Sequence, residues 1–105
     1  MIFASDKAIA AKPQALRGFL KGWFETIAFM RGNKVETVRI AKDIMGTDEA
    51  TSGTIYDELM PMFSSTGKFE PQALAVLSRS FVEMKTLPSE PDMSRLYTEA
   101  FLPAN

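Results

Sequence analysis

The chain has 105 residues, of which 46% are hydrophobic and 24% charged, and this balance is typical of one ordinary globular domain. Its net charge of -1 lacks the basic excess with which proteins neutralise nucleic-acid phosphates. Cysteine and histidine are both absent. This excludes disulfides and thiolate metal sites, and it removes the commonest general base and the commonest transition-metal ligand.

The N-terminal residues predict a strand that is not stable alone. Ile2, Phe3 and Ala4 form a short apolar run, and a single strand needs neighbouring strands to be stable. We therefore expect its partner strands elsewhere in the protein. The run is too short for a signal peptide, so an export signal, if the protein has one, is expected upstream of Met1.

A long helix is predicted from Pro13 to Gly32. Proline suits the first helical position because its fixed φ is already helical and its missing N–H is not needed there. Glycine favours the left-handed conformation that ends many helices. Between them, apolar residues recur at three- and four-residue spacing, which predicts one buried face. These residues are Leu16, Phe19, Leu20, Trp23, Phe24 and Ile27.

Three features of this helix predict its contacts. Trp23 lies in the middle of the apolar stripe, so we expect it in the core, where truncation to alanine costs about 3–5 kcal/mol. Gly18 and Gly22 lie one turn apart and predict the close approach of a neighbouring element. Phe29 lies off the stripe and is expected to face another part of the protein.

Two further helices are predicted in the middle of the chain. Asn33 and Glu36 form a capping-box pattern at the start of the first, and Gly46 ends it. Thr47 is the predicted N-cap of the next helix. Pro61 closes that helix, because proline disfavours helical geometry in the residue before it.

The last third of the chain predicts two more helical segments. Gly67 is the expected positive-φ residue of a polar turn, Pro71 begins a helix, and Asp92 caps a short terminal one. The predicted fold class is therefore mainly α. It has four to five helices within residues 13–103 and one short N-terminal strand within residues 1–5.

The acidic residues do not predict a catalytic or metal site. Asp48-Glu49 and Asp57-Glu58 are adjacent pairs, and neighbours in a helix diverge by about 100°, so they do not form a dyad. The first pair favours a helix start, and the second is expected on a solvated face. No histidine is present to activate a serine or threonine. We expect no enzymatic activity, no catalytic residue, no cofactor and no metal ion.

The helices on either side of Gly46 superficially resemble a helix-turn-helix. A recognition helix presents Arg, Lys, Asn or Gln to the bases. Residues 48–60 contain none of these and carry four acidic residues. We therefore expect no nucleic-acid partner.

Several segments, taken in order, resemble one known family. They are Ile2–Lys7, Lys12-Pro13, the helix Leu16–Arg31 with its link Gly32-Asn33, Tyr56–Pro61, Gly67–Pro71, Leu87-Pro88, Leu96-Tyr97 and Phe101–Pro103. The ordered set is similar to the C-terminal end of the nitrate/sulfonate/taurine and thiamine-precursor-like solute-binding proteins of bacterial ABC importers. The resemblance covers essentially the whole chain.

This resemblance implies a periplasmic, two-lobed α/β protein that clamps its ligand between the lobes. Residues 1–105 would be a single C-terminal helical segment, with residues 1–5 as the hinge strand. Such a protein delivers a small anionic or related solute, such as nitrate, a sulfonate or taurine, to an ABC permease of the inner membrane. The N-terminal remainder would be the partner of this segment and would carry most ligand contacts. No ligand-binding residue is assigned, and Ser5, near the hinge, is the one position to examine.

The residues leave a second interpretation open, which is an independent small all-helical interaction or adaptor domain. Under the first interpretation, an isolated chain exposes apolar residues that the first lobe would cover, foremost Ile2, Phe3 and Phe29. Exposed apolar patches drive association, and a symmetric dimer is the simplest result. We therefore expect the isolated chain to be at least a dimer.

Overall fold

The computed structural model describes residues 1–104, which are mainly helical as predicted. The α-helices are Asp6–Ala11 (α1), Pro13–Gly32 (α2), Lys34–Met45 (α3), Glu49–Leu59 (α4) and Pro71–Glu83 (α5), and 3₁₀ turns occupy Met60–Met62 and Met93–Arg95. The chain divides into two compact units, Met1–Thr66 with Leu102–Asn105, and Gly67–Phe101. The predicted helix starts at Pro13 and Pro71 and the predicted end at Gly32 coincide with the observed boundaries. Gly32 itself does not have the predicted left-handed conformation.

The predicted N-terminal strand is not confirmed. Ile2–Ala4 have no regular secondary structure, and residues 1–104 contain no strand with which they could pair. Instead, Ser5 begins helix α1, where its hydroxyl accepts a hydrogen bond from the Ala8 N–H at 3.1 Å. Helix α1 was not predicted, because Asp6–Ala11 is short and lacks a clear apolar stripe.

One predicted helix cap lies at the expected residue but lacks its predicted bond, and another was placed at the wrong residue. The amide of Asn33 donates to the carbonyl oxygen of Phe29 at 2.8 Å and closes the end of α2, and it makes no capping bond to α3. The N-cap of α4 is Asp48, whose side chain accepts from the Thr51 N–H at 2.8 Å. The hydroxyl of Thr47 shares a hydrogen bond with that of Ser52. The neighbouring residue Asp48, whose carboxylate is also a good cap, therefore occupies the N-cap position.

The predicted stops of α3 and α4 are confirmed. Gly46 follows α3 with φ +69°, in the left-handed conformation that glycine adopts without steric cost. Helix α4 ends at Leu59, and the chain continues into a 3₁₀ turn that contains Pro61. Gly67 also has the positive φ expected of it, at +75°.

The apolar core of the first unit is small. Its buried apolar residues are Ile27 of α2, Val38 of α3 and Met60 of the 3₁₀ turn. Ser52 of α4 is buried beside them, and its hydroxyl shares a hydrogen bond with that of Thr47. A buried hydroxyl is tolerated when it is bonded in this way.

Two side chains attach the C-terminal end of α2 to the rest of the first unit. The hydroxyl of Tyr56 donates to the carbonyl oxygen of Met30. The guanidinium of Arg31 donates to Ser65 Oγ at 2.7 Å and to the carbonyl oxygen of Phe63 at 2.8 Å. These bonds fix the last turn of α2 against α4 and the segment that follows it.

The second unit consists of α5 and the irregular chain after it. The rings of Phe69 and Tyr97 pack with centroids 4.8 Å apart and a 53° tilt. The Phe69 N–H donates to Glu99 Oε1 at 2.8 Å, which ties the entry to α5 to the end of the unit. Asp92 caps the terminal 3₁₀ turn, because its side chain accepts a hydrogen bond from the Ser94 N–H. This confirms its predicted role as a cap.

Candidate interaction surface

Helix α2 carries an aromatic surface that remains exposed. Phe19, Trp23 and Phe29 expose 55%, 39% and 46% of their areas, and we call them the α2 aromatic surface, in which Phe29 projects about 80° around the helix from Phe19. Ile27 is the one fully buried residue of this long helix. Exposed aromatic residues grouped on one element are typical of surfaces that another body covers.

Phe19 and Trp23 form a stacked pair within this surface. Their ring centroids lie 6.2 Å apart with an interplanar angle of 24°. The two residues are four apart in the helix, so their side chains lie on one side of it. The pair presents apolar ring area to its surroundings.

The predicted burial of Trp23 in the core was wrong. The apolar stripe is present, but α1 and α3 are the helices that pack most extensively on α2, and they leave this ring partly exposed. The spacing of the apolar residues correctly predicted an apolar face on α2. It did not show whether other residues of the chain cover that face. By contrast, the predicted exposure of Ile2, Phe3 and Phe29 is confirmed.

The glycines of α2 have open space around them. A Cβ atom placed on Gly18 or on Gly22 would meet no heavy atom within 4 Å. The neighbouring element predicted from their spacing is therefore not supplied by the described residues. Both glycines lie on the same side of α2 as Phe29, because the three positions project within about 40° of one another.

The acidic pairs have structural roles. Asp48 caps α4, and the N–H and hydroxyl of Thr51 hydrogen-bond its charged form, which lowers the pKa of Asp48 below its usual value. Asp57 pairs with Lys34 at 2.7 Å on the exposed side of the unit. Exposed pairs of this kind contribute little to stability.

Ser5, the position singled out near the predicted hinge, also has a structural role. Its hydroxyl is engaged as the cap of α1. Across residues 1–104, no cluster of three or more acidic side chains is placed to hold a metal ion. Within the same residues, no helix has the length and apolar character needed to cross a membrane.

Comparison of the chain with known protein families, with curated proteins and with solved structures finds no match.

Proposed function

We propose that this chain is the C-terminal helical part of a periplasmic solute-binding protein of a bacterial ABC importer. The ordered segments that resemble the nitrate/sulfonate/taurine family are the basis for the family. The exposed α2 aromatic surface is the structural observation that supports the proposal, because three exposed aromatic residues on one helix require cover. In this proposal the first lobe of the same protein provides that cover.

The role of the chain within such a protein is to pack on the first lobe and not to contact the solute. Nitrate, a sulfonate, taurine or a similar solute would bind between the two lobes, which the N-terminal remainder supplies. The open space beside Gly18 and Gly22 supports this role, because a neighbouring element can approach α2 closely there. The complete protein would then deliver the solute to an ABC permease.

The test begins with the coding sequence upstream of Met1. An open frame that encodes an export signal and two βαβ-rich lobes is the expected result. The protein expressed from that frame should bind nitrate, taurine or an alkanesulfonate in a calorimetric titration. A stop codon and a ribosome-binding site directly before Met1 would contradict the proposal and favour an independent helical interaction or adaptor domain.

A pair of variants tests the proposed cover of α2 in the complete protein. Phe29→Lys should lower its thermal stability strongly, because a lysine would replace an aromatic residue at a buried contact. Val35→Lys is the matched control, since Val35 on α3 is 86% exposed and lies outside the α2 aromatic surface. Equal melting temperatures for the two variants would show that the first lobe does not cover Phe29.

A further inference from the structure

A cavity of about 380 Å³ opens on the surface of the second unit, where α5 and the irregular chain after it border it. One face of α5 forms most of the lining, at the three- and four-residue spacing that a helix face requires. These residues are Pro71, Leu74, Ala75 and Ser78. Met93 of the terminal 3₁₀ turn contributes further apolar lining. The volume is within the range of small-molecule sites in proteins.

The hydroxyl of Ser78 is the buried polar group of this lining. Ser78 is only 7% exposed, and its side chain makes no hydrogen bond with any described residue. The hydroxyl oxygen is not wholly enclosed, so it is open to the cavity that Ser78 lines. Buried polar groups nearly always have a hydrogen-bond partner. A ligand in the cavity would give Ser78 such a partner.

Two opposite charges border the same cavity. Arg79 follows Ser78 on α5, and Glu90 lies in the segment after that helix. Both are exposed, and neither forms an ion pair with a described residue. A ligand with a single charge would be attracted by one of these groups and repelled by the other. A ligand that carries both signs can be attracted by both.

We propose that this cavity binds a free α-amino acid with an apolar side chain, for which leucine is the prototype. The carboxylate of the ligand would accept hydrogen bonds from the Arg79 guanidinium and the Ser78 hydroxyl, and its ammonium group would donate to Glu90. Its apolar side chain would lie against Leu74 and Met93, away from water. This site goes beyond the transport role and is independent of it, because every residue that forms it belongs to the chain itself.

Titration of the full 105-residue chain with L-leucine, followed by NMR of the backbone amides, tests the site. Saturable shifts at Leu74, Ser78 and Met93 are the expected result. Two probes keep the carbon skeleton of leucine and remove one charge each, since 4-methylpentanoate lacks the ammonium group and leucinamide lacks the carboxylate. Each probe should bind about fivefold more weakly than leucine, which is the upper size of one exposed ion pair.

Variants of the two charged residues assign their roles. Arg79→Gln should weaken leucine binding about fivefold without weakening leucinamide, which has no carboxylate. Glu90→Gln should weaken leucine binding by a similar factor without weakening 4-methylpentanoate, which has no ammonium group. The matched controls are Arg95→Gln and Glu83→Gln, which change the same residue types in the same unit outside the cavity lining. Both controls should bind leucine like the unaltered chain.

Three results would overturn the proposal. The first is the absence of saturable shifts at the amides of the cavity when leucine is added. The second is equal affinity for leucine and for the two singly charged probes. The third is a loss of leucine binding in the control variants as large as that in Arg79→Gln and Glu90→Gln. Far-UV circular dichroism verifies that each variant is folded, as expected for substitutions of exposed side chains.

Discussion

The hydroxyl of Tyr56 donates a hydrogen bond to the carbonyl oxygen of Met30 and so joins α4 to the last turn of α2. Tyr56→Phe removes the donor and leaves the carbonyl with a single weak bond from the Asn33 N–H. We expect the free energy of unfolding to fall by about 1 kcal/mol in urea denaturation. Tyr97→Phe is the control, because its hydroxyl bonds to no described residue. An equal loss in both variants would contradict the role of this bond.

Gly46 and Gly53 should respond to alanine in opposite directions. Gly46 has φ +69°, so a Cβ atom strains it, and Gly46→Ala should lower the free energy of unfolding by about 1 kcal/mol. Gly53 lies inside α4 with no heavy atom within 4 Å of an added Cβ. Gly53→Ala should therefore raise the free energy of unfolding by up to about 1 kcal/mol. Thermal unfolding followed by circular dichroism measures both, and a shift of the same sign would refute this pairing.

The cap at Asp48 should make stability depend on pH in the acidic range. Hydrogen bonds from Thr51 favour the charged carboxylate and lower the pKa of Asp48 in the folded state. A lowered folded-state pKa stabilises the fold above the unfolded value of about 3.9. This stabilisation is lost as the pH falls through the folded-state pKa.

Asp48→Asn retains a capping oxygen but not the charge, so its difference in stability from the unaltered chain should shrink as the pH falls from about 5 to about 2. Glu36, whose pKa is lowered by its hydrogen bond from Arg39, is present in both proteins and does not affect this difference. Urea denaturation at each pH provides the measurement. A difference that stays constant across this range would show that the charge of Asp48 does not contribute.

Trp23→Ala should cost less than full burial would imply. Hydrophobic stabilisation scales with the apolar area removed from water, and Trp23 keeps 39% of its area exposed. We expect a loss of less than about 2 kcal/mol in urea denaturation, compared with about 3–5 kcal/mol for a buried aromatic residue. Tryptophan emission should be that of a partly solvated ring and should be quenched by iodide. Strongly blue-shifted emission that iodide does not quench would contradict the exposed position.

The isolated chain should associate through the α2 aromatic surface. Light scattering coupled to size exclusion should report at least a dimer at micromolar concentration, because the exposed rings gain by mutual burial. The double variant Phe19→Glu, Phe29→Glu should shift the chain towards the monomer. Val35→Glu with Ile44→Glu alters two residues of α3 that are 86% and 78% exposed and should not. A strictly monomeric unaltered chain would refute this association.

The local signals in the sequence determined most helix boundaries. Pro13, Pro71 and Gly46 act through the steric limits of their own backbone, which do not depend on the rest of the fold. The cap of α4 was misplaced by one residue, because Thr47 and Asp48 both suit the position and their other partners decide between them. Competition of this kind cannot be resolved from neighbours in sequence.

Tertiary structure alone decided which apolar residues are covered and which polar groups find partners. Periodicity placed Trp23 and Ile27 on one stripe of α2, but Ile27 is buried and Trp23 is not, because coverage depends on where other helices cross. The bond from Tyr56 to Met30 joins residues 26 positions apart. Each of these features follows from packing geometry, which the spacing of residues along one helix does not specify.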